Sequence, residues 1–170
     1  RICLIASGGI RTAMDVANCA TLICQQIHYP KRDEAYLLGL FHNAGIPLLK
    51  QKFPDYPAIQ VQAYSQTDGI MTTVENEHLN TSHQVMGYYV AKAWKLPEDV
   101  CTVIRAHHSL SRLTGNDEHS QDIRQLACIL KLAEHIVGLY RVLGNQQTDY
   151  EWEHISAEVL NTLDMSDNDF

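Results

Sequence analysis

Leu37-Leu38-Gly39-Leu40-Phe41-His42-Asn43-Ala44-Gly45-Ile46-Pro47 begins as an apolar helical run and ends on a helix-stopping Gly-Ile-Pro. Asp33 is a good N-cap for this helix, and Gly45-Ile46-Pro47 should terminate or kink it. His42 and Asn43 therefore belong to its last turn.

The helical reading extends in both directions. Upstream, over residues 12–27, Ala13, Val16, Ala17, Ala20, Ile23, Cys24 and Ile27 recur at three and four, which is a helix with one buried stripe closed by Tyr29-Pro30. Downstream, Pro54 and Pro57 lead into a brief helix near 58–65, Thr67-Asp68-Gly69 reads as a loop, and Thr72 or Thr73 caps a short helix through Leu79. Asn80-Thr81-Ser82 offers caps for the clearest helix in the chain. Its Val85, Met86, Tyr89, Val90, Ala93 and Trp94 share the face expected to meet the core. Trp94→Ala should then cost about 3–5 kcal/mol.

Pro97 suits the first position of a helix running to about His107, and the polar stretch 109–121 reads as a surface loop. Residues 123–143 form the last strong helix, with Leu126, Ile129, Leu130, Ala133, Val137 and Tyr140 inward, and a weaker helix is expected near 155–163 before an acidic end at 164–169. There is no repeated unit and no lasting β-alternation. The expected fold is an all-α multi-helix bundle, a single domain over 1–170 in which 144–170 is the least defined part.

Composition narrows the function. Of 170 residues 45% are apolar, and 13 Lys and Arg against 20 Asp and Glu give a net charge of −7. That acidic balance, with no basic run, argues against nucleic acid as a partner, because such binding depends on Lys and Arg neutralising phosphates. No apolar stretch approaches the roughly 20 residues needed to cross a bilayer, and no signal layout opens the chain, so no membrane partner and a cytoplasmic location are expected. Cys3, Cys19, Cys24, Cys101 and Cys128 are odd in number and lack a C-x-x-C, which fits buried thiols in a reducing compartment. The chain opens on Arg1 rather than Met, as a piece of a longer chain would.

Nine histidines are the conspicuous chemical resource. His28, His119 and His154 lie beside turns or polar loops, where a solvated imidazole is expected. His107 and His108 are neighbours on a helix, about 100° apart, and are not expected to enter one site together. Glu75 and Glu77 with His78 and His83 suggest a metal site, but a break at Asn80 favours solvated helix faces.

Leu38-Gly39-Leu40-Phe41-His42-Asn43-Ala44-Gly45-Ile46 resembles the L-L-H-D-I-G-K signature of the HD superfamily of metal-dependent phosphohydrolases. His83-Gln84-Val85-Met86-Gly87, Trp94-Lys95-Leu96-Pro97, Ile104-Arg105-Ala106-His107-His108 and Ile129-Leu130-Lys131-Leu132-Ala133-Glu134-His135 follow in the order of one branch, the HDOD (HD-related output) domain. The resemblance covers about residues 12–140, and it implies an HD-domain-like bundle in a bacterial cytoplasm.

HD enzymes hold a divalent cation through H…HD…D, because a metal that activates water needs imidazole and carboxylate ligands that outcompete hydration. The resemblance places those four positions at Thr12, His42, Asn43 and Glu134. One ligand is kept, one is lengthened by a methylene, and two are lost. It implies no catalytic residue and no metal or other cofactor, and leaves His83, His107 and His108 as family-motif histidines of unassigned role.

The expected function is a non-catalytic signalling or regulatory output domain acting by binding. Its partners would be other signalling domains, such as receiver or cyclic-di-nucleotide-related ones, or a second copy in a homodimer. The alternative is a phosphohydrolase acting on nucleotides or phosphodiesters, using Mg²⁺, Mn²⁺ or Fe²⁺ held by His42 and Glu134.

Overall fold

The computed structural model describes residues 6–166 and Asp169, with side chains from Arg11 onward. Within them every regular element is helical. The helices α1 (Ala6–Gln26) and α2 (Arg32–Phe41) pack as a pair, and both lie against α8 (Glu118–Val137). α7 (Glu98–Ala106) packs on α2 and α8, and α10 (Tyr150–Leu163) covers another side of α8. A second layer pairs α3 (Gly45–Lys52) with α6 (His83–Ala93) and α4 (Tyr56–Tyr64) with α5 (Met71–Leu79), and α6 joins the layers by packing on α7.

The main core draws Val16, Ala20 and Cys24 from α1, Leu38 from α2, Val103 and Ile104 from α7, and Leu126, Ile129 and Leu130 from α8. The stripe read from the sequence of α1 is therefore the buried one. On α8 the expected Leu126, Ile129, Leu130 and Ala133 are buried and Val137 is half-buried, but the helix stops at Gly138, whose φ of 76° is the left-handed C-cap that glycine adopts without strain, and Tyr140 falls beyond it. A four-residue helix α9 (Leu139–Val142) follows.

Several boundaries differ from the sequence expectation for local reasons. Lys31, not Asp33, is the N-cap of α2, and Asp33 and Glu34 sit in its first turn, where carboxylates favour the positive end of the helix dipole. Ile70 precedes α5, so Thr72 and Thr73 lie inside it. Gly45-Ile46-Pro47 opens α3 after a break at residues 42–44; a proline in a first turn removes only an N–H with no partner in the helix. The 109–121 stretch is not wholly a surface loop, since Leu110 and Leu113 are buried around a single 3₁₀ turn, Leu110–Arg112. α10 begins five residues earlier than expected, capped by Asp149.

The largest correction concerns α6. Val85 and Tyr89 point to solvent, and Trp94, just past the helix, is 69% exposed with Phe41 as its aromatic neighbour. The inward face is His83, Gln84, Gly87 and Ala91. Gly45 explains the choice: a Cβ there would overlap the His83 carbonyl and the Gly87 amide, so α3 and α6 touch backbone to backbone. Small residues permit that approach and large ones are turned away from it. The 3–5 kcal/mol expected for Trp94→Ala does not apply to so exposed a ring.

Candidate functional site: a buried network of histidines, carboxylates and one lysine

Helix ends build this site. His83 is the first residue of α6, His107 caps α7 and His108 lies in the turn beyond it. Because α7 stops at Ala106, the helical spacing of 100° does not govern His108, and the expectation that His107 and His108 diverge fails. The Nε2 atom of His83 lies 3.4 Å from Nε2 of His107 and 3.1 Å from Nε2 of His108. With its amide oxygen turned toward α7, Gln84 accepts the backbone N–H groups of His107 (3.1 Å) and His108 (2.7 Å), which holds the reversal in place.

Glu75 is 2% exposed, so the solvated face expected for it is replaced by a buried anchor. It accepts from the Tyr56 hydroxyl at 2.5 Å, the His83 backbone N–H at 3.0 Å and His83 Nδ1–H at 2.8 Å. Burial alone would push its carboxyl up. The His83 ring, its two N–H donors and Tyr56 outweigh burial and bring it down to about 2.

The four HD positions are only partly assembled. Thr12 is buried on α1, which packs against the helix carrying Glu134. His42 Nδ1–H donates to the Gly39 carbonyl at 2.8 Å; its Nε2 meets the Asn43 amide nitrogen at 2.8 Å and Glu134 Oε1 at 3.2 Å. The other Glu134 oxygen forms an ion pair with Lys131 Nζ at 2.5 Å. Lys131 also reaches Glu151 Oε2 at 2.8 Å, and Glu151 Oε1 accepts from His108 Nδ1 at 2.7 Å. The histidine set and the HD positions are thus one continuous network.

Lys131 is 3% exposed. Burial would discharge it, yet Glu134 and Glu151 raise its pKa above the ordinary lysine value. Burial likewise opposes ionisation of Glu134, but the ammonium and His42 hold that carboxyl well below its usual range. Glu151 is pushed up to about 7, by burial first, with Lys131 offsetting only part. Burial pulls His107 and His108 well below the ordinary imidazole value, which makes both neutral near pH 7.

An HD-type cation does not fit here. Glu134, the carboxylate it would bind, has one oxygen on an ammonium and the other against His42, and Asn43 supplies an amide where a second carboxylate is needed. The remaining five histidines make their own contacts: His78 Nδ1 meets the Val74 carbonyl and His135 Nδ1 meets Asp149. His119 is exposed near Asp99, His154 donates to the Thr67 carbonyl, and His28 takes a left-handed turn conformation at φ 57°.

The sequence reading missed Tyr56, Lys131 and Glu151. Lys131 carried a signal, since it stands inside Ile129-Leu130-Lys131-Leu132-Ala133, where an apolar run implies burial on every side. Glu151 and Tyr56 had none; their partners lie 20 and 19 residues away.

An all-helical bundle with paired histidines at helix ends defines an HD-like class. The family model of the HDOD domain matches residues 6–110, and the chain belongs to that family. A solved HDOD domain protein of unknown function from Geobacter sulfurreducens shares the fold, with a TM-score of 0.56 at 18% identity over 91% of this chain. The chain spans 61% of that protein. A search of curated proteins gave no match.

Proposed function

We propose that this domain is a non-catalytic regulatory module of bacterial cytoplasmic signal transduction that works by binding a partner. The observation that carries the reading is Lys131: its ammonium is bound to Glu134, the carboxylate an HD enzyme needs for metal. A fixed internal cation removes both the ligand and the charge on which metal-assisted hydrolysis depends. Val85, Tyr89 and Trp94, exposed along and just beyond α6, are apolar surface available to a partner domain. No described helix is long and apolar enough to cross a membrane.

The second reading, a divalent-metal phosphohydrolase for nucleotides or phosphodiesters, requires His42 and Glu134 to be free, and both are engaged. Its test is turnover of a generic phosphodiester and of cyclic dinucleotides in Mg²⁺, Mn²⁺ and Fe²⁺. Wild type and Asn43→Asp should both be inactive, because restoring one carboxylate leaves Thr12 without an imidazole and Lys131 in place. Metal-dependent turnover lost in His42→Ala would overturn the non-catalytic reading.

A further inference from the structure

Val85, Tyr89 and Lys92 recur at four and three along the outward stripe of α6, and Trp94 and Lys95 follow at its end, all exposed. The two large rings in this row are seated on others. Tyr89 meets Tyr88 edge-on at 5.6 Å between centroids, and Trp94 meets Phe41 at 5.5 Å. Tyr88 and Phe41 are half-buried and pack on the main core, and the Arg105 guanidinium lies 5.2 Å over Tyr88. Each exposed ring therefore stands on a second ring that the core holds. That support places it before a partner arrives, so contact orders little that is not already ordered.

Charge sorts the occupants. Residues 113–170 carry 11 Asp and Glu against 3 Lys and Arg, whereas residues 83–112, which include α6 and α7, carry 2 against 4. Both of those carboxylates are engaged, Glu98 by Lys92 at 2.6 Å and Asp99 by Lys31 at 3.3 Å. Lys95 and Arg105 have no carboxylate partner among the described residues. Lys95 follows Trp94 in the chain and Arg105 covers the ring beneath Tyr89, so an uncompensated cation accompanies each anchor. A second copy docked face to face would bring like charges together, and a segment bearing carboxylates would neutralise them. From Val85 to Trp94 the row runs about 13 Å, the length of two to three turns of a partner helix.

We propose that the outward face of α6, centred on Tyr89 and Trp94 and flanked by Lys95 and Arg105, docks an amphipathic helical segment of a partner protein whose apolar side chains alternate with acidic ones. The inference rests on the binding-module reading and names the surface and the partner's chemistry. Tyr89 and Trp94 are the anchors, because buried aromatic residues near the centre of an interface carry most of its energy. Lys95 and Arg105 select the sign of the partner. The face shares no residue with the buried network of histidines, carboxylates and Lys131.

The probes are two fluorescein-labelled peptides of about 18 residues, long enough to form a helix, with identical Leu and Ile positions and with either Glu or Lys at the polar ones. In fluorescence anisotropy the Glu peptide should bind at least about 10-fold more tightly than its Lys twin, and less tightly as salt rises from about 50 to 300 mM. Tyr89→Ala and Trp94→Ala should each weaken it by about 10–30-fold. Lys95→Glu combined with Arg105→Glu should reverse the preference between the peptides, and Leu22→Ala, at an exposed apolar residue on α1, should change nothing. Should an anchor variant not fold by circular dichroism, the charge-reversed pair decides. No binding of the Glu peptide by wild type up to about 1 mM, equal binding of both peptides, or binding undiminished in a folded anchor variant overturns the face. A dimer in light scattering that Trp94→Ala abolishes would give the face to a second copy and overturn it too. Phosphodiester turnover would sink the non-catalytic reading while leaving the face standing.

Discussion

Ile129 and Leu130 on α8 and, within the next turn, Lys131 and Glu134 are buried almost equally, yet they belong to two different interiors. The first pair sits in an apolar core shared with α1, α2 and α7, where each contact is non-directional and tolerates small shifts. The second pair sits in a network where every group depends on a named partner at hydrogen-bond distance. Deleting a group from the first leaves a hole, and deleting one from the second leaves a charge. That difference makes the polar region the more fragile of the two.

The sharpest way to break the comparison is Lys131→Met. It leaves Glu134 and Glu151 buried without their common cation and should cost about 3–5 kcal/mol at neutral pH by urea denaturation. The penalty should shrink on acidification, because the orphaned carboxylates can take protons. A loss below about 1 kcal/mol would show that the ammonium is not what neutralises them. Ile129→Ala, in the apolar region, should cost about 2–5 kcal/mol with no such pH dependence.

Glu75 supplies the acid limb. Its carboxyl is held near 2 in the fold against an unfolded value of 4.5, so its stabilisation is fully present above about pH 4.5. It is lost as pH falls toward 2, and the span corresponds to about 3 kcal/mol. Stability curves of wild type and Glu75→Gln should converge in that window; parallel curves would remove Glu75 as the cause. The smallest effect belongs to Trp94→Ala, which should change stability by less than about 1 kcal/mol, since the ring is mostly in solvent.

How far these regions were legible in the sequence follows from the same contrast. α1 was readable because its buried residues are apolar and repeat at three and four, and that pattern is the whole cause of its packing. α6 was read inside out because its inner face is made of His83, Gln84, Gly87 and Ala91. Two of these are polar groups satisfied by distant partners and two are small residues that admit close contact, so none registers as a hydrophobic stripe. His42, Asn43 and Glu134 were picked out by motif order and do meet in space. Lys131 and Glu151, which decide the electrostatics there, pair across a chain reversal that no local pattern encodes.

The backbone contact at Gly45 has a mechanical meaning. The His83 carbonyl rests against Gly45, three residues beyond His42, with no side chain between them to act as a cushion. Closely packed elements move in discrete steps rather than by gradual deformation. At Gly87 the same helix lies against the His42 carbonyl and the Gly45 amide, so α6 bears directly on the turn that holds His42 and Asn43. Gly45→Ala would set a Cβ against the His83 carbonyl and the Gly87 amide, both backbone, and would force α3 and α6 apart beside that turn.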